Sequence, residues 1–100
     1  MLNIEKKQEG ATLTVKLEGR LDTNTAPVFQ AEVEPLLANA SSLMLDFEKV
    51  DYVSSAGLRA LLTFEQTMEA KNSTMELCHV NDIIHDVFDV TGFLDILKIV

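Results

Sequence analysis

Apolar and polar residues alternate from the start of the chain. Leu2 and Ile4 alternate with Asn3 and Glu5, and after the polar stretch Lys7-Gln8-Glu9-Gly10 the alternation resumes with Leu13, Val15 and Leu17 against Thr12, Thr14 and Lys16. A period of two predicts a hairpin with one buried face. The second strand is expected to stop at Glu18-Gly19-Arg20. Leu21-Asp22-Thr23-Asn24-Thr25-Ala26-Pro27 then supplies capping residues followed by a first-turn proline, which predicts a helix starting near Asn24 or Thr25. Phe29, Val33, Leu36, Leu37 and Ala40 recur at helical spacing and form one apolar stripe. Pro35 lacks the N–H that would reach the Ala31 carbonyl, so a kink or an early end is expected there.

The period returns to two at Leu43, Leu45 and Phe47, and the segment Ser42 to Phe47 has so little polar surface that it reads as a central strand. Glu48-Lys49 reads as a break and Asp51 as a loop residue, after which Val53 leads into Ser54-Ser55. A helix then carries Leu58, Leu61, Leu62 and Met68 inward and Arg59, Glu65, Gln66 and Glu69 elsewhere, with Phe64 falling between the two faces. Lys71-Asn72-Ser73 ends it. Met75 and Leu77 alternate with Thr74 and Glu76, predicting a strand up to Val80, with His79 as a strand residue beside the core. Asn81 offers a cap for a short helix whose apolar face is Ile83, Ile84, Val87 and Phe88, with His85 on its surface and Gly92 at its end. Beyond Phe93 the pattern does not separate helix from strand, and a terminal helical turn or two is expected.

The order is two antiparallel strands, then helix, strand, helix, strand, helix and a final apolar segment. Helices joining strands bring the later strands into parallel pairing by right-handed crossovers. The expectation is therefore an α/β fold: a mixed sheet of four to five strands with packed helices.

Composition narrows the function. One hundred residues, 47% hydrophobic and 24% charged, fit one folded domain spanning 1–100. The apolar runs are too short to span a bilayer and the N-terminus lacks the pattern of a secretion signal, so a cytoplasmic protein with no membrane insertion is expected. A net charge of −8 disfavours a nucleic-acid surface, which needs clustered Lys and Arg, and leaves room for a basic protein partner. Cys78 is the only cysteine, so no internal disulfide forms, and its apolar surroundings suggest a small core residue.

The stretch Val50-Asp51-Tyr52-Val53-Ser54-Ser55-Ala56-Gly57-Leu58-Arg59 carries the candidate site. Either serine can cap the helix that follows, its hydroxyl accepting a bond from a first-turn N–H. The same helix end favours a phosphate on that serine. Gly57 would let other atoms approach the first turn closely. A hydrolase would need a base near Ser55, for which His79 and His85 are the candidates and Asp22, Asp46 or Asp51 the orienters. No Gly-x-Ser-x-Gly elbow is present, so no catalytic residue is assigned. Cys78, His79 and His85 lack the paired spacings of a structural zinc site, and neither a dinucleotide fingerprint nor a P-loop occurs, so neither metal nor cofactor is expected.

Asp51 through Leu62 resembles the signature of STAS domains, specifically the anti-sigma factor antagonists of bacteria. Gly19-Arg20-Leu21-Asp22 with Thr25-Ala26 is similar to the start of that family's first helix, Leu45-Asp46-Phe47 to its central strand, and Val87-Phe88-Asp89-Val90-Thr91-Gly92-Phe93 to its C-terminal motif. The resemblance implies phosphorylation of Ser55, two places before Gly57, with Ser54 as the alternative acceptor standing where many family members have aspartate. It implies a partner-binding surface of Asp22, Thr23, Ser54, Ser55, Ala56, Gly57 and Arg59, with Asp51 in a supporting role. The implied partner is an anti-sigma factor that is an ATP-binding serine kinase of histidine-kinase-like fold, with a serine phosphatase acting on the phosphorylated form. The implied alternative is a STAS subunit of a lipid-transporting ABC complex that docks on its ATPase.

Overall fold

The computed structural model describes residues 2–100, which fold around a single five-stranded sheet with strands in the order of the chain. Strand β1 (Leu2–Glu9) and strand β2 (Thr12–Leu21) form the antiparallel hairpin, joined at Gly10 and Ala11. Strands β3 (Ser42–Val53), β4 (Thr74–Cys78) and β5 (Lys98–Ile99) then add one after another in parallel. Helices α1 (Ala26–Val33), α2 (Ser55–Ala70) and α3 (Asp82–Val90) make the crossovers. Because each step moves the same way across the sheet, right-handed crossovers place all three helices on one face.

Burial follows that layering. Leu13, Val15 and Leu17 on β2, Leu43, Leu45 and Phe47 on β3, and Met75 and Leu77 on β4 are buried under the helices. The alternating residues Thr14, Lys16, Met44, Asp46, Glu76 and Cys78 stand on the opposite face, and none of them is buried. Phe29 of α1 meets Phe64 of α2 edge to face, with ring centroids 5.0 Å apart, and Phe47 meets Phe88 of α3 at 6.2 Å. The four rings are fully buried, each contributing about 1.5–3 kcal/mol of hydrophobic stabilisation. Phe64 thus belongs wholly to the core.

Pro35 ends α1 as expected. The regular helix stops at Val33, and Glu34–Asn39 continues as a 3-10 helix with the proline in its first turn, where a missing N–H leaves no bond unmade. At the end of α2, Asn72 adopts a left-handed conformation (φ 57°), the Ser73 N–H reaches the Met68 carbonyl at 2.8 Å and the Asn72 N–H reaches Glu69 at 3.0 Å. This is a Schellman ending with asparagine in place of glycine. The Lys71 ammonium crosses to the carbonyls of Leu37 and Ala40, the latter at 2.7 Å, tying the end of α2 to the end of the 3-10 helix.

The structure corrects the sequence reading in several places. Cys78, expected in the core, is half-buried on the open face of the sheet, because it alternates with the inward-facing Leu77. Glu48-Lys49 is not a break: β3 runs through it to Val53, and the ladder absorbs it as register shifts against β2, which itself continues past Gly19 to Leu21. Asp51 is accordingly a strand residue. His79 lies beyond the end of β4, exposed, with a left-handed backbone (φ 57°). Ile83 is 72% exposed, because Ile84 and Phe88, one turn apart, take the inward face of α3. After Gly92, whose φ of 81° turns the chain, a single 3-10 turn (Phe93–Asp95) is followed by the short strand β5 rather than by more helix.

Candidate functional site

The site forms where β2 and β3 end side by side. Leu21 and Val53 are register partners, and the Ser54 N–H donates to the Leu21 carbonyl at 2.9 Å, so the two chain segments leave the sheet together. One residue beyond that bond lie Asp22, following β2, and Ser55, the first residue of α2.

The two serines divide the work. Ser54, with an extended backbone (φ −92°, ψ 175°), is the N-cap of α2, and its Oγ accepts from the Gly57 N–H at 3.3 Å. Ser55 is the first helical residue and is exposed, and among the described residues nothing is hydrogen-bonded to its hydroxyl. Capping, which the sequence allowed at either serine, belongs to Ser54. Ala56 packs partly against the core, Arg59 is exposed one turn along α2, and Gly57 is buried against the end of β2. A β-carbon on Gly57 would stand 2.8 Å from the Leu21 carbonyl oxygen and 2.9 Å from Leu21 Cγ, closer than real β-carbons come. Only glycine lets α2 start this near the sheet.

Asp22 organises the other lip. Its Oδ1 accepts from the backbone N–H groups of Asn24 and Thr25, both at 3.0 Å, and from the Thr25 hydroxyl at 3.2 Å. Thr25 Oγ1 in turn accepts from the Asp22 N–H at 2.8 Å and lies 2.7 Å from the Arg20 carbonyl. Reciprocal bonds of this kind build the turn that delivers α1. The Thr25 N–H, with the Asn24 N–H, the Thr25 hydroxyl and the nearby Arg20 guanidinium, holds the Asp22 carboxyl below its ordinary range against the opposing effect of desolvation. Thr23 is exposed at the tip of the turn.

Neighbours that the sequence did not single out complete the surface. Arg20 lies 4.1 Å over the ring of its register partner Tyr52 and 3.6 Å from Asp22 Oδ2. Val28 is half exposed, and with Leu2, Asp22, Asn24 and Thr25 it lines a shallow depression of about 360 Å³. Only the β2–β3 register reveals the Arg20–Tyr52 pair, and the register shifts hide it from a reading along the chain.

The remaining candidates lie elsewhere. His79 is bonded to Asp46 on the open face of the sheet, Nδ1 to Oδ1 3.0 Å, and His85 is exposed on α3; neither is hydrogen-bonded to a serine of the site. Burial and the carboxylates of Asp46 and Glu48 push the Cys78 thiol up, so it is not poised as a nucleophile. Among the described residues, no helix is long and apolar enough to cross a membrane.

The arrangement of strands and helices, with a serine-bearing helix start beside an aspartate turn, can be set against known proteins. The family model of the STAS domain matches residues 3–100. The chain belongs to the STAS domain family. Among the relatives of this STAS domain is the anti-sigma-B factor antagonist of Bacillus subtilis, 26% identical over 98 residues, covering 98% of this chain and 90% of the relative. The fold of this chain is similar to that of an anti-sigma factor antagonist from Mycobacterium paratuberculosis, with a TM-score of 0.89 at 17% identity, covering 99% of this chain and 85% of the other. SpoIIAA, an anti-sigma factor antagonist, matches in its unphosphorylated form with a TM-score of 0.78 at 16% identity, covering 98% and 87% of the two chains. SpoIIAA of Bacillus in its phosphorylated form matches with a TM-score of 0.77 at 17% identity, covering 98% and 91%. The STAS fold expected from the sequence is thereby established.

Proposed function

We propose that this STAS domain is an anti-sigma factor antagonist whose unphosphorylated form binds an anti-sigma factor and releases the sigma factor, and that phosphorylation of Ser55 switches binding off. The observation that carries the reading is the division of labour at the start of α2. Ser54 is committed to the cap, and Ser55 presents a free hydroxyl on the surface beside the Asp22 turn.

The partner is a serine kinase of histidine-kinase-like fold that brings ATP and Mg²⁺. Ser55 Oγ attacks the γ-phosphorus; the Oγ–P bond forms as the bond to the bridging oxygen breaks, ADP leaves, and the hydroxyl proton passes to a base on the kinase. This chain contributes the acceptor and the docking surface of Asp22, Thr23, Ser54, Ser55, Ala56 and Arg59, not the catalytic groups; Gly57, expected in that surface, is buried beneath it and holds the helix start close to the sheet. A serine phosphatase restores the hydroxyl, and the setting is the cytoplasm.

The phosphate, carrying about −1.5 to −2 at neutral pH, would sit at the N-terminus of a 16-residue helix, where the dipole and the unpaired first-turn N–H groups favour negative charge. Unfolding is unnecessary for the switch. The similarity of this fold to both forms of SpoIIAA supports that point. The effect of the phosphate is instead repulsion and desolvation at a surface that had fitted the kinase, on a chain already at −8.

Co-purification tests the reading. The protein and its Ser55→Ala variant should be recovered with a histidine-kinase-like serine kinase, and Ser55→Asp should bind it at least tenfold more weakly. Recovery with a transporter ATPase instead, or equal binding by Ser55→Asp, would overturn it.

A further inference from the structure

The geometry points to a zinc-class divalent cation site on the open face of the sheet, with Asp46, Cys78 and His79 as its three protein ligands. Asp46 and Cys78 are register partners in the parallel β3–β4 pair, so their side chains leave the same face. In a regular strand, His79 would point to the other face, under the helices. Its left-handed backbone (φ 57°) breaks the alternation and brings the ring back to Asp46, Nδ1 to Oδ1 3.0 Å. Such a conformation in a residue other than glycine is uncommon and clusters at functional sites.

An Asp46 carboxylate oxygen, Cys78 Sγ and a ring nitrogen of His79 all lie within 4.8 Å of one another. Ligands bound to zinc at 2.0–2.3 Å stand about 3.3–3.8 Å apart. Asp46 Oδ1 and His79 Nδ1 stand 3.0 Å apart, and small side-chain rotations would bring the three donors to that separation. Spacing along the chain conceals the site because the carboxylate comes from the neighbouring strand, and His85, the other histidine, takes no part.

A thiolate, an imidazole and a carboxylate together select Zn²⁺ or Co²⁺ over Mg²⁺ and Ca²⁺, which prefer oxygen alone. On binding, the Cys78 S–H proton passes to solvent as the metal–sulfur bond forms, and no electron moves. Asp46 is only 14% exposed whereas His79 is 58% exposed, so the ion would sit at the surface with a water in the fourth position. Lys16, the register partner of Asp46 on β2, partly offsets the site's negative charge, and Glu48 restores it.

The test is a Co²⁺ titration of the reduced, tag-free protein, followed by the sulfur-to-cobalt charge-transfer absorption in the near ultraviolet. We expect one Co²⁺ per chain, displaced by one equivalent of Zn²⁺ but not by excess Mg²⁺. The band should be absent in Cys78→Ser, and affinity should fall at least tenfold in His79→Gln and in Asp46→Asn, each variant keeping the parent's circular dichroism spectrum. His79→Gln alters only an exposed side chain and so keeps the proposal testable if Cys78→Ser does not fold. Absence of the band at micromolar Co²⁺, one metal shared by two chains, or affinity unchanged in His79→Gln would overturn the site.

Discussion

The carbonyl oxygen of Leu21 accepts the Ser54 N–H at 2.9 Å and stands 2.8 Å from where a β-carbon on Gly57 would be. The last residue of β2 therefore fixes how close the start of α2 comes to the sheet, and with it the position of Ser55. Gly57→Ala must push helix and strand apart. Since the contact is with backbone, relief by side-chain rotation is limited, and a loss of about 1–3 kcal/mol is expected despite alanine's better helix propensity. Chemical denaturation measures the loss, and weaker binding to the anti-sigma factor should accompany it.

Ser54 and Ser55 should separate by stability. Ser54→Ala removes the cap bond to Gly57 and is expected to cost about 1 kcal/mol. Ser55→Ala removes an exposed hydroxyl and should change stability by less than about 0.5 kcal/mol. Urea midpoints of the two variants against the parent provide the comparison.

The Asp22 turn carries a pH signature. Because Asp22 titrates below its ordinary value in the folded protein, the stabilisation from its charge is fully present above the unfolded value of about 3.9 and is lost as pH falls through the lower folded value. The substitution Asp22→Asn keeps an acceptor oxygen but removes the charge. The stability difference between the parent and this variant should be constant near neutral pH and shrink below about pH 4. A difference independent of pH down to acid unfolding would contradict the role of the carboxylate.

Lys71 holds two carbonyls at the end of the 3-10 helix. Lys71→Met keeps much of the aliphatic stem and removes the donor, and is expected to destabilise by about 1–2 kcal/mol. Hydrogen exchange should quicken in Glu34–Asn39 and the last turn of α2 before it does in the central strands.

Much of this fold was legible in the chain because local signals and tertiary packing agree. Period two marks the faces of β2 and β3, Pro35 marks the end of α1, and Asn81 caps α3 by accepting from the Ile84 N–H at 2.9 Å. What escaped depends on partners distant in sequence. Phe64 is buried because α1 brings Phe29 against it, and the two-residue β5 exists because β4 offers it an edge. Asp51 lies in a strand because a bulged ladder carries β3 through two charged residues. At the site, the capping chemistry of Asp22 and the serines was visible as residue types, but which serine caps is decided by the backbone at Ser54. The Arg20–Tyr52 pair and the Asp46–Cys78–His79 cluster depend on strand register, which no single segment encodes.

The central claim, that the free hydroxyl of Ser55 is the switch, is tested most directly by mapping phosphate after incubation with the cognate kinase and ATP. The parent and Ser54→Ala should each acquire one phosphate, on Ser55, and Ser55→Ala should acquire none. Phosphate on Ser54 in the parent, or phosphorylation persisting in Ser55→Ala, would contradict the account.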